Sequence, residues 1–257
     1  MWNIFPRPKV QPIDDDAWAR LAHHAPLLRT FSAQEQDRLR DRANEFLRDK
    51  AVDTAGGLEL GDLERQLIAA FAAIPILELD IDWYDGWYSV IAYPDAFVAP
   101  HAIHDEAGVL HEGERELAGE SWERGPLIVS WSDLEGCATG ELLGNVLIHE
   151  CAHKIDQLNG STNGFPPLHG DMSISAWTTD WQAAYDDLRR RVDAGEETDI
   201  DPYATEDPAE FFAVLSEYFF AEPDLVASEF PAVYEQLRRL YRQDPVRRPM
   251  PDYGDGG

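Results

Sequence analysis

Apolar residues recur along this chain at two spacings, and the switches between them divide it into helical and extended stretches. Ser32 with Glu35 forms a capping-box signal before a helical run through Leu39, Phe46 and Leu47, and Leu63 to Leu77 reads as a second helix interrupted near Pro75. The front third is thus mainly helical. Trp87 to Tyr93 and Leu127 to Trp131 are rich in aromatic and β-branched residues, are bounded by Gly or Pro, and predict strands. The apolar stretch Leu142 to Ile148 runs into a helix that continues past His153, and Gly160 to Gly170 is a Gly-, Asn- and Pro-rich loop. Further helices are predicted over about Ile174 to Ala194, Ala209 to Phe220 and Pro231 to Arg242, with a mobile tail after them. The pattern is α+β, without internal repeats. A chain of 257 residues, 44% of them hydrophobic, can bury a substantial core as one unit.

The helix after Leu142 carries the chemistry. Residues 149 to 153 read His149-Glu150-Cys151-Ala152-His153. Positions i and i+4 share one helix face, so both imidazoles reach a single metal ion while Glu150, about 100° round the axis, points beside it. Neutral imidazoles suit Zn²⁺, and a catalytic zinc site adds one more protein ligand and keeps a place for water. Glu150 is then the general base that takes the water proton. Cys151 lies roughly 200° round from the histidines and points away as a small buried hydrophobe.

A third ligand must be selected by context, because Asp and Glu number 49. Glu210 is the best candidate: Asp207 can cap, Pro208 suits a first helical turn, and the run to Phe220 is otherwise largely apolar. Glu217 follows seven residues later on nearly the same face, and spacing alone does not separate the two. Glu217 and Asp156 are also placed to orient the histidine ligands.

Charge narrows the partners. A net charge of −28 repels phosphate backbones, and no basic helix offsets it, so direct nucleic-acid binding is disfavoured. The surplus acid is either a solvated surface or a complement to a basic patch on a DNA-binding protein. Two cysteines, Cys137 and Cys151, argue for a reducing compartment, and the first residues lack the apolar core of a secretion signal, so a cytoplasmic location is expected. The most apolar run, Leu67 to Leu79, is too short to span a bilayer. His101, His104 and His111 lack compact ligand spacing and predict a polar loop, a candidate lid.

Several ordered strings carry a family resemblance: Gly125-Pro126-Leu127-Ile128-Val129-Ser130-Trp131, His149 to Asp156, Asn163-Gly164-Phe165-Pro166-Pro167-Leu168, Asp207 to Phe220, and Tyr241-Arg242-Gln243-Asp244-Pro245. Together they resemble the Mlc titration factor A family, over about residues 27–245, with 246–257 left as a flexible tail. The resemblance implies a cytosolic zinc-dependent metallopeptidase with aminopeptidase activity on peptide substrates. It implies a zincin-like core related to the catalytic domain of anthrax lethal factor, with a small mixed sheet, the His149–His153 helix and additional N- and C-terminal helices. In such folds an edge strand can hold an extended substrate, and residues 125–131 are the candidate. The resemblance also implies binding to a glucose-responsive transcriptional repressor, so a non-catalytic protein that sequesters that repressor is the alternative. Carried over by position, the zinc ligands are His149, His153 and Glu210, and the catalytic carboxylate is Glu150. The related lethal-factor site has a tyrosine seven residues before its ligand glutamate, which assigns Tyr203 to the oxyanion. The chain departs from the family at Cys151, where an aromatic residue is expected.

Overall fold

The computed structural model describes residues 10–95, 125–142, 144–249 and 251. The chain opens with helices α1 (Asp15–His24) and α2 (Ala33–Asp49), then strand β1 (Ala51–Thr54), α3 (Asp62–Ala73) and β2 (Ser89–Tyr93). After residue 124 come β3 (Leu127–Ser130), α4 (Trp131–Thr139), α5 (Val146–Asp156), α6 (Ile174–Asp193), α7 (Pro208–Ala221), α8 (Pro223–Glu229) and α9 (Pro231–Tyr241). His101, His104 and His111 lie outside the described residues.

Local chemistry sets most of these boundaries. At the start of α2 the Ser32 hydroxyl accepts the Glu35 N–H at 3.3 Å, and the Glu35 carboxylate accepts the Ser32 N–H at 2.8 Å, which completes the capping box. Helix α3 stops at Ala73 because Pro75 has no N–H for the next bond, and the Phe71 carbonyl instead accepts the Ile74 N–H at 3.1 Å. Trp131, expected to end a strand, begins α4: the Ser130 side chain caps the Asp133 N–H and turns the chain out of β3. Strand β1 has only four residues and no clear alternation, so its sequence gave little signal.

The strands form a parallel sheet in the order β1-β2-β3, with Val52 opposite Val90, Val90 opposite Leu127 and Ala92 opposite Val129. The sheet expected to be mixed is therefore parallel throughout the described strands. Parallel neighbours need long crossovers, and α3 supplies the one between β1 and β2. These five residues are buried and turn one face of the sheet to the core.

Two deeply buried helices frame the centre. Every residue of α3 from Gln66 to Ala73 is buried, and α7 buries Phe211, Phe212, Val214, Leu215, Phe219 and Phe220. Between them, α5 packs on α7, α3, α4 and β3. On its far side α7 meets the aromatic rings of α6, with Trp181 edge-on to Phe211 at 5.5 Å and Trp177 at 6.2 Å from Phe212. Truncating a fully buried phenylalanine such as Phe212 costs about 3–5 kcal/mol, which is the scale of the packing that holds α7 against α6.

The chain beyond α9 begins by folding back. Pro245–Arg247 form a 3₁₀ turn, and the Arg248 guanidinium stacks 4.0 Å from the Phe31 ring while bonding to Glu35 at 3.1 Å and Gln243 at 2.9 Å. None of the helices among the described residues is long and apolar enough to cross a membrane.

Candidate metal centre

The site is built where α5 meets α7. Asn145 starts α5 by accepting the N–H groups of Leu147 and Ile148 on its side-chain oxygen at 3.1 and 3.2 Å. Its own N–H donates to Glu217 Oε1 of α7 at 2.7 Å, so the histidine-bearing helix is tied at its first turn to the neighbouring one. Gly144 makes this approach possible. Its φ of +85° suits glycine, and a Cβ there would stand 2.0 Å from Glu217 Oε1.

Asp207 starts α7 in the same way, accepting the N–H groups of Ala209 and Glu210 at 2.8 and 3.0 Å, with Pro208 in the first turn. These caps aim three side chains at one point. Nε2 of His149 and Nε2 of His153 are 3.2 Å apart, and Glu210 Oε2 lies 3.2 Å from the first and 3.4 Å from the second. A tetrahedral ion with bonds of about 2.0–2.1 Å holds its ligands about 3.3–3.4 Å from one another, the size of this triangle. Glu210 Oε2 is buried without a hydrogen-bond partner, although two nitrogens face it. The donor set, two imidazoles and a carboxylate, fits a zinc-like divalent cation.

The electrostatics point the same way. Burial disfavours charge on His149, but the Glu210 and Glu217 carboxylates outweigh it and push the imidazole pKa up to about 10. Burial likewise opposes charge on Glu210, and the two imidazoles overcome it and hold the carboxyl well below the usual range. A field that favours a proton at this point also favours a divalent cation.

Packing separates the two acids that spacing left together. Glu210 faces both Nε2 atoms, whereas Glu217 Oε2 meets the opposite nitrogen, Nδ1 of His149, at 3.4 Å. A carboxylate in that position is placed to orient the histidine while its Nε2 faces the centre. Asp156 is fully buried at the end of α5 and accepts the N–H groups of Asn163 and Gly164, each at 2.7 Å.

Glu150 and Tyr203 lie beside the triangle. The Glu150 charge acts on both His149 and the Tyr203 phenol. Tyr203 sits in a 3₁₀ turn, Pro202–Thr205, started by the Asp201 carboxylate, which accepts the Tyr203 N–H at 2.9 Å. Its ring is 6.4 Å from that of His149 and its hydroxyl lies beside Glu210. The residue is 45% exposed, so Tyr203 faces solvent as well as the His149, His153 and Glu210 triangle. Partial burial and the carboxylates of Glu210, Glu206 and Glu150 push its pKa up to about 12, so the hydroxyl keeps its proton at neutral pH. Cys151 is fully buried against the Tyr84 hydroxyl, and burial pushes its thiol up to about 12, as befits a packing residue rather than a thiolate ligand.

Asn145 and Gly144 were not singled out in the sequence, and Gly164 entered only as part of the string Asn163 to Leu168, with no role of its own. An Asn immediately before an apolar helical run is a cap signal that marks Asn145. Nothing local distinguishes Gly144 or Gly164 from other loop glycines, because their neighbours come from α7.

Comparison with known proteins points to a metallopeptidase family. A family model described as glucose-regulated metallo-peptidase M90 matches residues 6–242. Among curated proteins, the chain is similar to Mlc titration factor A of Yersinia enterocolitica, with 39% identity over 233 residues, covering 89% of this chain and 86% of that protein. It is similarly close to Mlc titration factor A of Yersinia pestis, with 39% identity over 231 residues covering 88% and 84%.

Proposed function

The chain belongs to the glucose-regulated metallo-peptidase M90 family, and from that premise we propose that it is a zinc-dependent peptidase, aminopeptidase-like on short peptides, acting in the cytosol. One observation carries the reading: Nε2 of His149, Nε2 of His153 and Oε2 of Glu210 converge at 3.2–3.4 Å beside a carboxylate and a phenol. His149, His153 and Glu210 would hold the zinc ion, which would supply Lewis acidity towards a peptide carbonyl and lower the pKa of water towards neutrality.

The chain's own groups move the protons and steady the charge. Glu150 accepts the proton of the attacking water and passes it to the departing amine, which breaks the C–N bond as a neutral leaving group. Tyr203 turns its O–H from the Glu210 carboxylate to the carbonyl oxygen as that oxygen gains negative charge. Glu217 keeps the proton of His149 on Nδ1. Strand β3 is the element that would pair with an extended peptide.

Glu150→Gln tests the reading, because it keeps size and packing but removes the base. We expect hydrolysis of chromogenic aminoacyl substrates to fall at least about 100-fold at matched zinc content, the usual scale of general-base catalysis. An undiminished rate in that variant would remove Glu150 from the mechanism. Cleavage of amine-blocked peptides at comparable rates would replace the aminopeptidase assignment with an endopeptidase one.

The names of the relatives favour a second role. Proteins named for titrating Mlc suggest that this chain binds a transcriptional repressor. Its net charge of −28 suits a basic partner. Undiminished repressor binding by Glu150→Gln would make that role independent of hydrolysis, and absence of binding in the wild type would remove it.

A further inference from the structure

Nothing in the HExxH spacing sets the distance from α5 to Glu210, which arrives 57 residues after His153 on another helix. The loop after α5 supplies that distance. Asp156, three residues after His153, is fully buried, and its Oδ2 accepts the N–H groups of Asn163 and Gly164 at 2.7 Å each. Two short bonds to one carboxylate oxygen hold the loop backbone tightly against the end of the histidine helix.

Gly164 then touches the other helix. Its φ is +75°, and a Cβ at this position would stand 2.3 Å from the Pro208 carbonyl oxygen and 2.8 Å from its carbon. These are backbone atoms, which do not swing aside as a side chain does. Pro208 is the first residue of α7 and lies two residues before Glu210. The loop is secured further on: Asn163 Oδ1 accepts the Phe165 N–H at 3.0 Å, and the Phe165 ring meets Trp177 at 6.3 Å.

We infer that Asp156 and Gly164 form a bracket that sets the separation of the two metal-bearing helices, Asp156 by fixing the loop and Gly164 by letting it lie directly on the start of α7. Both are positioning residues. The inference rests on the metal reading above and adds to it the device that brings the third ligand to the first two. It matters because the ligand triangle has edges of 3.2–3.4 Å, so a shift of α7 by half an ångström is a large fraction of the site. A Cβ at Gly164 demands at least that much movement, since contacts below about 3 Å are not tolerated. Asp156 also bears on His153 directly. Its Oδ1 and Nδ1 of His153 are both buried without a partner, and the two side chains interact electrostatically.

The test is zinc affinity of the full-length protein, measured by competition with a chromogenic chelator, together with the visible spectrum of the cobalt-substituted form. Gly164→Ala and Asp156→Ala are expected to bind zinc about 10–100-fold more weakly with unchanged far-UV circular dichroism, as for other groups that orient metal ligands. In Gly164→Ala the cobalt bands should also shift, which a general loss of stability would not produce. Gly170→Ala is the control, because a Cβ there meets nothing within 4 Å, and it should match wild type in both readouts. Asp156→Asn keeps an oxygen for both N–H groups and should regain most of the loss seen in Asp156→Ala. If Gly164→Ala does not fold, that last pair decides. Equal losses in Asp156→Asn and Asp156→Ala would assign the effect to charge on His153 and overturn the bracket. Undiminished affinity in Gly164→Ala would overturn it too, while wild-type protein that takes up no divalent ion overturns the metal reading and the bracket with it.

Discussion

Two clusters of ionisable side chains on this protein, one of arginines and acids and one of histidines and a glutamate, differ in what they leave unmet. Arg238 and Arg239 near the end of α9 and Arg242 just beyond it line a cleft of about 420 Å³ with Asp171, Glu235 and Asp244. There the charges satisfy one another: Arg242 is bidentate to Asp171 at 2.7 and 3.1 Å, Arg238 is bidentate to Glu235 at 2.7 and 2.8 Å, and Arg239 bonds to the Asp171 carbonyl. At the junction of α5 and α7, a carboxylate and two imidazoles converge on one another's acceptor atoms, and Glu210 Oε2 remains without a hydrogen bond. Room is not what marks a reactive site. Bonding capacity that the protein aims inward and does not itself consume is the better indicator.

The sharpest way to break this contrast is to remove a donor from the inward-facing cluster. Glu210→Gln should abolish stoichiometric zinc binding, read by metal analysis after gel filtration, and reduce hydrolysis to background. Retention of one zinc per chain would mean that Glu217 or another carboxylate is the third ligand.

A smaller effect is expected one shell out. Glu217→Gln retains an oxygen for the Asn145 N–H but presents an amide donor where Oε2 faces His149 Nδ1 at 3.4 Å. Zinc affinity should fall about 10–100-fold with little change in thermal midpoint. A chelator titration that superimposes on wild type would leave Glu217 with a purely structural part.

The smallest effect belongs to the satisfied cluster. Arg242→Ala removes an exposed ion pair, and such pairs contribute little because water and salt already screen them. Zinc content and hydrolysis should equal those of wild type, and a loss of either would show that the cleft on α9 communicates with the metal centre.

Much of this was legible in the chain because the signals are local. The Ser32–Glu35 box, the strand residues Ser89–Tyr93, the α6 and α9 helices and the His149/His153 pairing depend on neighbours within about one or two helical turns, and the structure places them close to where periodicity and capping put them. Errors fell where a boundary depended on something weaker. The strand expected to run through Trp131 ends at Ser130 because a single serine hydroxyl caps α4, and β1 is too short for alternation to declare itself.

Sequence by itself determined which residue types could hold a divalent ion and that His149 and His153 would share a face, since a helix repeats every 3.6 residues whatever surrounds it. It did not determine which acid completes the set. Glu210 and Glu217 are seven residues apart on nearly the same face of α7, and only the packing of α7 on α5 points the first at both Nε2 atoms and the second at Nδ1 of His149. That packing in turn depends on Gly144 and Gly164, whose missing side chains matter because of Glu217 and Pro208, residues 73 and 44 positions further along the chain. Helical geometry is written in adjacent residues, whereas the distance between two helices is set by whatever lies between them, and only the folded chain brings those groups together.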